Sequence, residues 1–193
     1  MSKLLIVNGS VNGSKGNCAK VAGFVEKRAA GFAASHLVLK EASRRSVLSK
    51  LEEADCFLFL TGTYWESWGS PLQKFFEDFS ELEASEAFLG KPAACGVLCH
   101  STGGKSVLSR LQATLNLFGC VIPPFCGVEI SLLAQVALRA DPKGKHVDDI
   151  WSLADFEVVL KNLQAALKGG KYTAWPTDMK NFRKVWVETP KRS

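Results

Sequence analysis

Two kinds of hydrophobic pattern alternate along the chain. Short runs, apolar at nearly every position, stand at residues 4–7, 36–39, 56–60, 93–99 and 119–122. Continuous runs of this length suit strands covered on both faces, as in a parallel sheet. Between them lie stripes with helical spacing. Leu108, Leu111, Leu115 and Phe118 form one, and Phe156, Val159, Leu160, Leu163 and Leu167 form another. A third begins with Val21, Phe24 and Val25 after Asn17, which the pattern marks as an N-cap. Strand and helix alternating about five times predict an open α/β sheet with helices on both sides. Pro123 and Pro124 break any helix, so residues 123–149 are expected to be less regular, with 141–145 an exposed loop. No repeat or linker divides the chain, which reads as a single domain over residues 1–170 followed by an extension over 171–193.

Charge sharpens that boundary. The chain of 193 residues carries a formal +5. Residues 168–193 hold seven Lys/Arg against Asp178 and Glu188, so the whole excess lies there, and residues 1–167 balance 17 basic with 17 acidic side chains. A neutral body with a basic tail does not describe a nucleic-acid groove. No apolar run approaches the roughly 18 residues of a membrane span, and the first one stops at Asn8 and Gly9, short of an export signal. The expectation is a soluble, cytoplasmic protein. Its six cysteines, at 18, 56, 95, 99, 120 and 126, then read as reduced thiols, because their spacings match neither zinc sites nor iron–sulfur clusters. No metal site is expected.

In an open parallel sheet the ligand lies at the carboxyl ends of the strands, where strand order reverses. Three segments there are unusual. The first, residues 8–18, runs from strand to helix and is rich in Gly, Ser and Asn, a composition suited to cradling a phosphate with backbone N–H groups and a helix N-terminus. It fits neither the P-loop, since Gly9 and Gly13 are too close, nor the Gly-x-Gly-x-x-Gly fingerprint. Its glycines come near the short-chain dehydrogenase pattern, but no Tyr-x3-Lys accompanies them. The second, residues 61–71, crowds Tyr64, Trp65 and Trp68 into a glycine-containing loop, which a flat aromatic ligand would explain, as would packing of Trp65 and Trp68 against the tail or a second subunit. The third, residues 99–105, offers His100 beside Gly103 and Gly104, where the backbone can approach a planar ring.

Together these loops resemble the flavodoxin-like superfamily, in its NAD(P)H-dependent FMN reductase and quinone reductase branch. Gly9-Ser10 and Gly16-Asn17-Cys18 match the ends of that family's first loop. Thr61-Gly62-Thr63-Tyr64 and Pro71-Leu72-Gln73-Lys74-Phe75-Phe76-Glu77-Asp78 are similar to its third-strand loop and following helix. The segments 90–93 and 100–104 keep its order, so the likeness covers about residues 3–127. Gly62 stands where the family usually has Pro, and the first loop is about one residue longer, with Asn12 or Lys15 in place of Arg and Cys18 in place of Thr. The resemblance implies an open five-stranded parallel sheet of order 2-1-3-4-5 with helices on both faces. It implies an FMN with its phosphate on Ser10, Asn12, Ser14, Asn17 and Cys18. The ring would rest against Gly62, Thr63, Tyr64 and Trp65, with His100, Gly103 and Gly104 at its other edge. The flavin would carry hydride from NADPH or NADH to a small-molecule acceptor, a quinone, azo compound or free flavin. No side-chain nucleophile is needed, and Tyr64 and His100 are the expected acceptor contacts. Relatives of this kind are homodimers or homotetramers, for which Trp68, Trp151, Trp175 and Trp186 are candidate contacts. The alternatives are a flavodoxin-type electron carrier, against which the neutral body argues, and a flavin-less flavodoxin-like binding protein.

Overall fold

A computed structural model describes residues 1–140 and 150–175. The exposed loop expected at 141–145 and most of the basic tail lie outside the described residues. Strands β1 (Ser2–Asn8), β2 (Phe32–Val38), β3 (Cys56–Tyr64), β5 (Ala93–Cys99) and β6 (Gly127–Ser131) form a parallel sheet of order β2-β1-β3-β5-β6. A two-residue strand, β4 (Ser67–Trp68), turns back antiparallel on the end of β3. Counting only the parallel strands, this is the expected 2-1-3-4-5 order. The switch lies between β1 and β3, which pair in register from Leu4 opposite Cys56 to Asn8 opposite Leu60.

Alternation along the strands builds two cores. Leu5 and Val7 of β1 with Phe57 and Phe59 of β3 face α2 (Arg44–Glu53), α3 (Ser70–Asp78) and α4 (Gly104–Leu117). Leu4, Ile6, Cys56, Leu58 and Leu60 face α1 (Asn17–Glu26) and α6 (Phe156–Lys168). Side chains on opposite pleats explain why these strands are apolar at every position. α5 (Leu132–Ala140) follows β6 directly, with no residue between them.

Several local expectations need correction. The fifth parallel strand is 127–131, not 119–122. Val121 forms only an isolated bridge to Pro92, and Pro123-Pro124, lacking N–H groups, cannot extend the ladder. The region 123–149, expected to be irregular, contains β6 and α5. Residues 61–64 continue β3 instead of forming a loop. The α1 N-cap is Gly16, and Asn17 is the first helical residue. Helix α2 answers to no stripe singled out in the sequence. It starts at Ser43, whose side chain accepts the Ser46 N–H.

All six thiols are free and buried. Burial pushes Cys18 and Cys99 up to about 11 and Cys56, Cys120 and Cys126 up to about 12, from an ordinary value of 9.0, and raises Cys95 as well. Each native thiol therefore holds its proton where the unfolded one has lost it. The native state then binds more protons than the unfolded state, so stability is intact below about pH 9 and falls as pH rises from there toward the folded values. Urea unfolding at pH 8 and pH 10 should show the lower midpoint at pH 10. Thiol alkylation at pH 8 should proceed only in denaturant.

The last described residues lie on the body. Thr173 N–H donates to Asn162 Oδ1 at 2.7 Å, Asn162 Nδ2 donates back to Thr173 O at 2.9 Å, and the Trp175 ring meets Phe125 edge-on.

Candidate functional site

The carboxyl end of β1 is held by one buried side chain. Asn8, only 2% exposed, accepts the Ser10 N–H on Oδ1 and donates from Nδ2 to Gly13 O, both at 3.0 Å. These bonds fold residues 9–16 into a tight arch containing a short 3-10 turn, Gly13–Lys15. From outside the arch, Lys40 Nζ donates to Val11 O at 2.7 Å and the Glu41 carboxylate accepts the Ser14 N–H at 2.8 Å. That amide holds the Glu41 carboxyl below its usual pKa. At the inner end, helix α1 begins without a side-chain cap, leaving the first-turn N–H groups for a ligand.

The end of β3 carries the second wall. Thr61, fully buried, accepts the Gly69 N–H on Oγ1 at 3.1 Å and so returns the β3–β4 hairpin to the sheet. A Cβ at Gly69 would come within 2.7 Å of Gly9 O, so glycine lets the hairpin's exit touch the first loop. Trp65 and Glu66 form the hairpin tip with φ of 48° and 58°. A two-residue turn with both residues left-handed ordinarily takes Asn-Gly. Replacing the pair with Asn-Gly should therefore stabilise the protein by about 1 kcal/mol, read as a raised urea midpoint.

Tyr64 and Trp65 differ sharply. The Tyr64 hydroxyl is held above its usual pKa, first by burial, and stays a donor. Trp65 is fully exposed at the tip, while Trp68 packs edge-on against Phe76. Trp68, Trp151 and Trp175 are thus engaged within their own chain; Trp186 lies outside the described residues.

A cleft of about 460 Å³ opens between these walls, within the usual size of a cofactor site. Of the twelve residues expected at a ligand, Ser10, Asn12, Asn17, Cys18, Gly62, Thr63, Tyr64 and His100 line it. The other four do not. Ser14 turns its N–H to Glu41, Trp65 points to solvent, and Gly103 and Gly104 open helix α4, where a Cβ on Gly104 would strike the Glu129 carboxylate. Glu129 accepts the Cys99 thiol proton at 3.0 Å. Burial first, and then this carboxylate, raise the Cys99 pKa.

Sequence reasoning missed the wall opposite. Leu132, Gln135 and Arg139 present one face of α5 to the cleft, beside Leu98, Ile130 and Lys20. Their spacing of three and four is a helical signal, but Leu133 and Val136, exposed and outside the cleft's lining, blur it.

The site also contains a buried polar atom in need of a partner. Ser10 Oγ, in a residue 4% exposed, makes no hydrogen bond of good geometry; the Cys18 thiol lies beside it, and burial keeps that thiol protonated. A buried hydroxyl left in this way carries a desolvation cost that an anionic oxygen would relieve. Ser10, the uncapped α1 and an apolar slot between Tyr64 and Leu98, Ile130 and Leu132 suit a phosphate joined to a flat ring. The residues present therefore fit FMN.

Residues 2–131 match the family model of the NADPH-dependent FMN reductases. The chain belongs to that family. Its members are FMN-dependent oxidoreductases. No curated protein sequence matches the chain. Among solved structures, the fold is similar to RosB with a bound formylriboflavin phosphate intermediate, at 13% identity over 88% of this chain and 80% of that one, with a TM-score of 0.65. It is also similar to a WrbA-like flavodoxin from Agrobacterium tumefaciens (18%, 89% and 100%, 0.61). A third is an NADPH-quinone reductase from P. pentosaceus (13%, 90% and 100%, 0.54). At these identities the likeness concerns the fold alone. Among the described residues, no helix is long and apolar enough to cross a membrane, and no three His, Cys, Asp or Glu side chains gather as a metal site.

Proposed function

We propose that this FMN reductase family member is an NAD(P)H oxidoreductase that works through FMN held in the cleft between β1, β3 and α5 and reduces a small-molecule acceptor, a quinone, azo compound or free flavin. The observation that carries the reading is the buried, unpartnered Ser10 hydroxyl beside the uncapped start of α1. Bound FMN would supply the redox chemistry, taking hydride from a reduced nicotinamide and releasing it to the acceptor.

The chain's own part is binding and orientation. Ser10 and the first-turn N–H groups at Asn17 and Cys18 would meet the phosphate, with Asn12 at the rim. Gly62 and Thr63 let the ring lie against the end of β3, with Leu98, Ile130 and Leu132 excluding water. Tyr64 and His100, one hydroxyl and one exposed imidazole on the cleft wall, would offer hydrogen bonds to an acceptor's oxygen. The working unit would be a single domain over residues 1–170 with the basic extension beyond it, assembled as a homodimer or homotetramer in the cytoplasm. A neutral body supports the reductase over an acidic carrier.

The test is the absorbance spectrum of the purified protein after FMN addition and gel filtration, then after anaerobic NADPH. Retained flavin that bleaches directly is expected. A protein that retains no flavin overturns the reading; retained flavin untouched by NADPH or NADH would make it a carrier.

A further inference from the structure

A phosphate monoester carries close to two negative charges at neutral pH, and the loop expected to receive it brings no cation to the cleft. Lys15, its only lysine, is absent from the lining and acts with Lys40 on the Glu41 carboxylate. Asn12, which does line the cleft, is neutral. Among the described residues, the charged lining comes instead from two other elements: Lys20, one turn into α1, and Arg139, near the end of α5. Among the described residues, no carboxylate lines the cleft. Two described acids are engaged elsewhere, Glu41 with the Ser14 N–H and Glu129 with the Cys99 thiol.

Arg139 is set by more than its own helix. Leu133 N–H donates to His100 O at 2.9 Å, Ala134 N–H to Ser131 Oγ at 3.3 Å, and Gln135 Nε2 to Trp151 O at 2.9 Å. These bonds fix which face of α5 looks inward. At about 1.5 Å of rise per residue, Arg139 stands roughly 10 Å along the helix from Leu132, so one face of α5 is apolar at one end and cationic at the other.

We infer that Lys20 and Arg139 hold the phosphate of the flavin, supplying from α1 and α5 the charge that the loop does not bring to the cleft. The inference rests on the FMN reading above and deepens it. The loop's N–H groups and Ser10 set the position of the phosphate oxygens, while the guanidinium, a planar donor suited to phosphate, and the ammonium neutralise them.

The test titrates the full-length protein with FMN and, separately, with riboflavin, which lacks the phosphate, following quenching of flavin fluorescence. Wild type, Lys20→Gln, Arg139→Gln and Arg139→Lys are compared at low and high salt. Each Gln variant should weaken FMN about tenfold and leave riboflavin unchanged, Arg139→Lys should recover part of the loss, and the salt dependence of FMN binding should flatten. FMN binding that is unchanged, or that falls in step with riboflavin, overturns the assignment while leaving the FMN reading intact. If wild type binds neither flavin, the FMN reading itself fails and this assignment falls with it.

Discussion

Replacing Asn8 with alanine is expected to remove measurable FMN retention on gel filtration and to lower stability by about 3 kcal/mol. The side chain satisfies two main-chain groups, the Ser10 N–H and the Gly13 carbonyl, in a position only 2% exposed. Each group left without a partner forfeits roughly 1–3 kcal/mol, and the arch they shape is the one that presents Ser10 to the cleft. Asn8→Asp separates shape from charge. It keeps an acceptor for Ser10, loses the donor to Gly13, and adds a negative charge behind the phosphate position, so FMN should weaken more than riboflavin. Equal losses for the two flavins, or an Asn8→Ala protein that still retains FMN, would show that the arch does not hold the phosphate.

Phe57→Ala should be the most damaging change that leaves the site's own residues alone. Phe57 is fully buried, with its ring centroid 5.9 Å from Phe59 and 5.5 Å from Phe88. These rings join β3 to the helices of one face, and Phe88 in turn meets Phe75 and Phe118. Large-to-small changes of this type cost about 3–5 kcal/mol, because the cavity collapses only partly. In a domain of this size that lowers Tm by roughly 10 °C or more. Calorimetry of the variant reads the loss directly. FMN affinity of the folded protein should be unchanged, since Phe57 lies on the side of the sheet away from the cleft's lining. A shift below about 1 kcal/mol would mean that the aromatic cluster repacks freely.

The parts of the fold legible in the sequence were those whose burial is uniform. β1, β3 and β5 lie inside the sheet with apolar residues on both pleats, so their runs stand out. β6 is an edge strand reading Gly-Val-Glu-Ile-Ser, with only Val128 fully buried. Its short alternation disappeared behind the more conspicuous apolar run at 119–122, whose Cys120 is buried without belonging to a strand. The first-loop candidates were visible by composition, and the structure brings Ser10, Asn12, Asn17 and Cys18 to one cleft. Ser14 was not distinguishable from them, because its turn toward Glu41 depends on a residue 27 positions away. The α5 wall was hidden for a related reason. Its apolar residues occupy both faces, and only the packing of the helix beside His100 and Trp151 selects which face matters.

The direct join of Ser131 to Leu132 makes the pocket's composition a matter of phase. A helix advances about 100° per residue, so a single residue inserted at that junction would rotate the whole wall by more than a quarter turn. Gln135 and Arg139 would swing away, and the methyl of Ala134 would take the place of the Gln135 amide at the opening. One extra codon could thus exchange a cationic rim for a greasy one without altering any side chain that lines it. A chain that changes its choice of ligand by counting, instead of by substitution, can move between preferences in a single event. It also has no neutral intermediate length at which to rest.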